Sequence, residues 1–116
     1  MPKYMLLLHD NLAAFANVSP EEMQKVVEKY MKWGKKLREA GVMKAGDKLT
    51  DEPGKLMRRK DGHVRVTDGP YSESKELLGG YYMIEADSYD KAIEHARDCP
   101  QLDYGGTIEV RQVDQM

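Results

Sequence analysis

The sequence has little cysteine, no excess of basic residues and no long apolar run. Its single cysteine, Cys99, cannot form an intramolecular disulfide. Eighteen Lys and Arg against twenty Asp and Glu give a formal net charge of −2, which excludes a nucleic-acid binder that relies on bulk positive charge. Apolar stretches such as residues 4–8 are much shorter than a membrane span or a signal-peptide core. We therefore expect a cytoplasmic protein without a nucleic-acid or membrane partner.

The signatures of common metal and cofactor sites are also missing from the sequence. One cysteine and three separate histidines, His9, His63 and His95, lack the spacing of zinc ligands. There is no Walker loop, dinucleotide-binding fingerprint or nucleophile elbow. We expect no metal and no organic cofactor.

Strand and helix patterns alternate along the 116 residues, a length typical of one domain, so residues 1–116 are read as a single domain. Residues 4–8 are apolar on both faces, as in a central strand. Ser19-Pro20-Glu21-Glu22 combines an N-cap, a first-turn proline and a capping box, which predicts a helix that ends at Gly41. A second helix is predicted to begin after Ser88. Further strands are predicted over residues 42–49, interrupted at Gly46, over 81–86 and over 107–113.

Two short strand patterns lie between these units, at residues 56–59 and 63–67. They flank Asp61-Gly62, a pair that favours a tight hairpin turn. The order is therefore β-α-β, a hairpin, and β-α-β. It predicts an α+β protein with a ferredoxin-like βαββαβ sandwich, an inserted β-hairpin and both helices on one sheet face.

The two predicted sheet faces differ in character. Alternation groups Tyr82, Ile84, Ala86, Ile108 and Val110 on an apolar face, and it groups Tyr81, Met83, Glu85, Thr107, Glu109 and Arg111 on a mixed face. A solvent-facing sheet seldom carries Tyr and Met beside such an apolar central strand. We therefore expect a second subunit to close the mixed face, which would make a homodimer with a partly polar cavity.

The strongest local motif is Asp68-Gly69-Pro70-Tyr71, followed by Lys75. Asp, Gly and Pro together are typical of a structural corner after a strand. Alternatively, Asp68 and Lys75 line a pocket beside Tyr71, where a carboxylate, an ammonium and a phenol could bind a polar small molecule or move a proton. The sequence leaves both interpretations open.

His9 and Asp10 lie where the first strand leaves the sheet, a position suited to ligand contacts. An imidazole beside a carboxylate could act as a base. Alternatively the two are a solvated pair, because adjacent residues on a strand point to opposite faces. Glu85, Glu109 and Arg111 could likewise be structural ion pairs or ligand anchors.

The Asp-Gly-Pro-Tyr stretch also carries a family resemblance. The sequence resembles the YCII-related proteins, in particular the branch named for an Asp-Gly-Pro-Phe motif, with Tyr71 in place of Phe. The matching segments cover nearly the whole chain and comprise residues 3–7, 19–23, 37–42, 67–84 and 106–111.

The resemblance implies a ferredoxin-like fold assembled as a dimeric α+β barrel. The wider group includes a dechlorinating lyase of chloroaromatic breakdown, for which a His–Asp pair has been proposed as the active centre. The matching positions here are Asp10 and a place near Tyr30, so this chain lacks the histidine. Members of the branch are often encoded beside, or fused to, extracytoplasmic-function sigma factors.

The leading hypothesis is a homodimer that holds a small polar or aromatic molecule between the sheet and the Asp-Gly-Pro loop, with metal-free acid–base chemistry. Catalytic roles are predicted for Asp68, His9 and Asp10, and ligand contacts for Gly69, Pro70, Tyr71, Lys75, Tyr30, Tyr81 and Arg111. The alternative is a non-catalytic regulatory module that partners a sigma factor. A monooxygenase acting on quinol-like aromatics would share the same architecture.

Overall fold

The computed structural model describes residues 1–69 and 76–115, except for the side chain of Glu76. The two α-helices are α1 (Pro20–Glu39) and α2 (Tyr89–Ala96), and short 3-10 helices span Leu12–Phe15 and Pro100–Tyr104. The strands are β1 (Lys3–Asn11), β2 (Met43–Lys48), β3 (Lys55–Lys60), β4 (His63–Asp68), β5 (Glu76–Glu85) and β6 (Thr107–Gln112).

Four strands form an antiparallel sheet in the order β2-β5-β1-β6. The two βαβ units therefore interleave, because β1 lies between β5 and β6. Leu6, on this central strand, is paired with Tyr82 on one side and with Val110 on the other. This arrangement confirms the predicted α+β class and is consistent with a ferredoxin-like fold.

The first helix begins as its sequence predicts. The Ser19 hydroxyl accepts a hydrogen bond from the Glu22 amide at 3.2 Å, and Pro20 occupies the first turn. Trp33 then ties α1 to α2, because its indole nitrogen donates to the His95 carbonyl oxygen at 3.2 Å. Among the described residues, neither helix has the length and apolar character needed to cross a membrane.

The hydrophobic core lies on one face of the sheet. Leu6 and Ile84 are fully buried there, and Trp33 and Leu37 of α1 pack over them together with Ala92 of α2. The strand register places Met5, Leu7, Tyr81 and Met83 on the opposite face, where they are only partly buried. The predicted division into an apolar face and a mixed face is therefore confirmed.

Two strand predictions are wrong at glycines. β5 begins at Glu76 rather than at residue 81, and β2 continues through Gly46 with a register irregularity between Met43 and Ala45. Gly79 and Gly80 do not end the strand, because their missing side chains let neighbouring groups approach closely. A Cβ at Gly79 would overlap the Asp10 carboxylate, and one at Gly80 would lie 3.0 Å from the Asp47 carbonyl oxygen.

β3 and β4 pair with each other as a separate two-stranded sheet. Asp61 and Gly62 have φ values of 53° and 78°, the left-handed conformation that a type I′ turn requires at both central residues. The side chains of this hairpin are exposed except for Leu56, which is half-buried against Gly69.

Candidate functional site

A cleft of about 710 Å³ opens between α1 and the helix-facing side of the sheet. Leu8, Gly79 and Gly80 form its floor, and Tyr30 and Gly34 lie on the helix wall. Further apolar lining comes from Leu12, Phe15, Met23, Val26, Val27, Met31 and Leu77. The glycines of the lining let neighbouring groups approach the backbone closely.

A chain of hydrogen bonds crosses one end of the cleft. The Tyr30 hydroxyl donates to Oε1 of Gln101 at 2.5 Å, and Nε2 of Gln101 donates to Oδ1 of Asp10 at 2.8 Å. The same nitrogen also donates to the His9 carbonyl oxygen at 2.8 Å. Gln101 is only 3% exposed. Because both acceptors lie on the nitrogen side of the amide, its oxygen must face Tyr30.

Burial raises the pKa of Tyr30, and the nearby Cys99 and Asp10 add to this effect because negative charge disfavours a phenolate. Tyr30 therefore remains protonated at neutral pH and serves as the donor that the Gln101 oxygen requires. In this way the tyrosine, through the amide, fixes the position of the Asp10 carboxylate in the cleft.

Three glycines make room for the polar groups of the cleft. A Cβ at Gly79 would overlap the Asp10 carboxylate, and a Cβ at Gly106 would lie 2.5 Å from the Gln101 Nε2. A Cβ at Gly34 would lie 3.2 Å from the Arg38 guanidinium. The positions of Asp10, Gln101 and Arg38 thus depend on an absent side chain beside each of them.

Charged and phenolic groups also line the cleft near β2 and the C-terminal half of α1. Lys48 forms an ion pair with Asp51 at 3.3 Å, whereas the Asp47 carboxylate accepts a hydrogen bond at 2.6 Å from Tyr81 on the other sheet face. The ring of Tyr82 packs edge-on against Trp33, with 5.0 Å between the centroids. Burial and the neighbouring Cys99 raise the pKa of Tyr82, and the Arg38 guanidinium partly opposes this shift.

Comparison with known proteins places the chain in a family. A model of the YCII-related domain matches residues 2–116. The chain belongs to the YCII-related family. An uncharacterised protein of Rhizobium meliloti (strain 1021), R00369, is 31% identical over 110 residues, which cover 93% of this chain and 89% of that protein.

The chain is also similar to a solved structure. This is 5-chloro-2-hydroxyhydroquinone dehydrochlorinase (TftG) from Burkholderia phenoliruptrix AC1100, in complex with 2,5-dihydroxybenzoquinone. It is 14% identical in sequence and has a TM-score of 0.48, and the match covers 98% of this chain and 95% of that one.

Of the residues predicted for the site, the YCII-related chain brings Asp10 and Tyr30 into the cleft. His9 lies on the opposite sheet face, where its Nε2 is 3.2 Å from Oε1 of Glu109. Arg111 is on that face as well, 3.9 Å from the other oxygen of Glu109. Tyr81 also projects from that face and bonds to Asp47. His9 and Asp10 are therefore adjacent in sequence but belong to different surfaces.

The Asp-Gly-Pro motif of this YCII-related chain begins at the end of the β3–β4 hairpin. The Asp68 side chain is 83% exposed and forms an ion pair with Lys55. Gly69 is buried against Leu56, and its amide donates to the Gly54 carbonyl oxygen at 3.3 Å. Neither Asp68 nor Gly69 lines the cleft. The predicted ligand contacts Pro70, Tyr71 and Lys75 lie outside the described residues.

Sequence reasoning missed Gln101 and Arg38. Gln101 follows Pro100 in a short 3-10 helix and belongs to no recognisable motif. A signal does exist in the two glycines that follow this helix, since Gly105 ends it with a φ of 75° and Gly106 leaves space for the amide. Arg38 reads from sequence as a cation that complements the C-terminal end of the helix dipole.

Proposed function

We propose that this protein binds a small molecule with an apolar or aromatic body in the cleft, and that Asp10 accepts a hydrogen bond or a proton from it. The observation that carries this proposal is the Tyr30–Gln101–Asp10 chain at one end of the cleft. The cleft has a volume of about 710 Å³, which suits a small ligand. The mostly apolar lining with few polar groups is also typical of a ligand site.

The chemistry proposed for Asp10 is general acid–base catalysis without a metal or an organic cofactor. Its Oδ1 is held by Gln101, whereas Oδ2 lies over Gly79 at the floor of the cleft. A ligand O–H or acidic C–H placed there would give its proton to Oδ2 and could later recover it. A positioned carboxylate of this kind typically accelerates proton transfer by about 10²- to 10⁴-fold.

Small neutral phenols, including hydroquinone, are the first probes of this proposal. Ligand-observed NMR on the wild-type protein should detect their binding, and Asp10→Asn should weaken it at least tenfold because the amide presents a donor where the ligand needs an acceptor. Asp103→Asn is the matched control, since Asp103 is exposed and does not line the cleft. Equal affinities in wild type and Asp10→Asn would contradict the proposal.

We further propose that the protein is a cytoplasmic homodimer whose subunits meet through the mixed sheet face. Met5, Leu7 and Met83 are partly buried apolar side chains on that face, and both helices pack on the other side. Burial of such side chains against a second copy would be favourable by about 25 cal/mol for each Å² of apolar surface removed from water. This arrangement would form a dimeric α+β barrel. The regulatory module that partners a sigma factor stays a prediction.

A further inference from the structure

We propose that the ligand of this cleft is an organic anion, and that Arg38 binds its carboxylate while Asp10 faces the other end of the molecule. This inference rests on the proposed small-molecule function and adds the charge class of the ligand. It also assigns a binding role to a residue for which the sequence suggested only an interaction with the helix dipole.

The first argument is an accounting of charge in the cleft. The charged residues that line it, among those described, are Asp10, Arg38, Asp47, Lys48 and Asp51, although the Asp47 carboxylate bonds to Tyr81 on the other sheet face. All of them except Arg38 have a partner of opposite charge or a hydrogen-bond donor suited to a carboxylate. The Arg38 guanidinium donates to Sδ of Met43 at 3.7 Å, which is a weak acceptor without charge.

Among the described residues, no carboxylate lies within ion-pair distance of Arg38. Within the described part of the chain, the cleft therefore contains a solvent-accessible cation without a counter-ion, at the edge of a largely apolar lining. A bound carboxylate would supply the missing negative charge.

The second argument is the placement of Arg38 on the helix. Tyr30, Gly34 and Arg38 are four residues apart in succession, so they lie on the same side of α1. The guanidinium is folded back over Gly34: its Nη1 lies 3.2 Å from the position that a Cβ would take there. Gly34 lies about 6 Å from Tyr30 along the helix axis, at a rise of about 1.5 Å per residue. The guanidinium and the Tyr30 end of the hydrogen-bond chain are therefore about one helical turn apart along α1, a spacing comparable to the length of one aromatic ring.

The third argument is chemical. A guanidinium is planar and remains charged at all accessible pH values, and it binds a carboxylate through two parallel N–H···O hydrogen bonds. Leu8, Leu77 and Tyr82 provide the apolar surface that the body of such a ligand would contact. The expected ligand is thus a small carboxylic acid with a hydroxyl or an acidic C–H at its far end.

Two probes of nearly equal shape test the charge requirement, namely 4-hydroxybenzoate and its neutral analogue 4-hydroxybenzamide. In isothermal titration calorimetry at low ionic strength, the wild-type protein should bind the acid at least tenfold more tightly than the amide. Arg38→Gln should abolish this preference, and Arg38→Lys should restore part of it because a single ammonium keeps the charge without the planar fork. Arg97→Gln is the matched control, since Arg97 is exposed and lies outside the cleft.

Equal binding of acid and amide by the wild-type protein would overturn the inference, and so would a preference that survives in Arg38→Gln. If Asp10→Asn weakens both probes while neither depends on Arg38, the proposed function stands and only the anion inference fails. If neither probe nor the neutral phenols bind, both fail. Circular dichroism of each variant identifies any loss of binding caused by unfolding.

Discussion

The two faces of the main sheet arise from the same strands and yet have opposite properties. Leu6 and Ile84 on the helix side are fully buried, whereas their neighbours Leu7 and Met83 on the other side are partly exposed. Polar groups on the helix side are gathered in the cleft, where glycines open a space and Gln101 anchors Asp10. On the other side they remain accessible to solvent. Two adjacent residues on a strand therefore differ both in their exposure to water and in the groups that their side chains contact.

The largest expected effect is a loss of the dimer proposed to form through the mixed face. Leu7→Asp should raise the dimer dissociation constant by more than 100-fold, because it places an unpaired carboxylate in an apolar contact between subunits. Sedimentation equilibrium at micromolar concentration would measure this change. Leu102→Asp, at an exposed site in the second 3-10 helix, should leave the dimer intact. A wild-type protein that sediments as a monomer would refute the proposed dimer.

The corresponding change on the helix side is Leu6→Ala. It should lower the free energy of unfolding by about 3 kcal/mol, because it removes a fully buried side chain and leaves a cavity. Leu102→Ala, at an exposed site, should change it by less than about 0.5 kcal/mol. Urea denaturation of the three proteins at one concentration gives both values. Similar losses in the two variants would mean that the helix-side face is not the core.

Alkaline pH should weaken the helix side through Cys99. Burial raises the pKa of this thiol to about 11 from an ordinary value near 9.0. Between these values the unfolded chain loses its thiol proton while the folded chain keeps it, so stability falls as pH rises. The slope is about 1.4 kcal/mol per pH unit for one group.

Denaturation between pH 7 and pH 10.5 tests the effect of the thiol. The wild-type protein should show no contribution from Cys99 below its ordinary pKa and a decline above pH 9. Cys99→Ala should be less stable at neutral pH and should decline less steeply. Tyr30 and Tyr82, whose pKa values burial also raises, contribute to the decline that remains. An equal slope in both proteins would show that the thiol is not shielded from water.

The smallest expected effect concerns the polar pair on the mixed face. Glu109→Gln removes the partner of His9, but the Glu109 side chain is 44% exposed in a single subunit, and in the proposed dimer the pair would face the partly polar cavity. The free energy of unfolding should therefore change by less than about 1 kcal/mol, and less still at high salt. Thermal unfolding at two salt concentrations measures the difference. A loss of several kcal/mol would indicate that the pair is buried in the assembled protein.

Most of the features that the sequence predicts correctly come from patterns among residues close to each other in the chain. Alternation along β1 and β5 was sufficient to separate the two faces, and the Ser19 capping box was sufficient to begin α1. The interleaved strand order followed from two βαβ units, since few arrangements of such units are compatible with a short chain.

The cleft could not be predicted because it depends on close contacts between distant segments. The sequence predicts a cavity between the sheet and the Asp-Gly-Pro loop, whose residues 70–75 lie outside the described part of the chain, and it gives no sign of the cleft on the helix side of the sheet. In the sequence, Gly79 suggests the end of a strand. In the fold, the Asp10 carboxylate occupies the space where a side chain of residue 79 would lie. Gln101 is remote from both Tyr30 and Asp10 in sequence, so nothing local signals its contacts.

The Gln101 amide holds Tyr30 and Asp10 in fixed positions through hydrogen bonds, but it does not transfer a proton between them. An amide cannot pass a proton from its oxygen side to its nitrogen side without becoming a high-energy imidic acid tautomer. Tyr30 therefore acts as a support rather than as a source of protons. Any proton that reaches Asp10 must come from a ligand or from water in the cleft, so the tyrosine would take no part in the proton transfer proposed for Asp10.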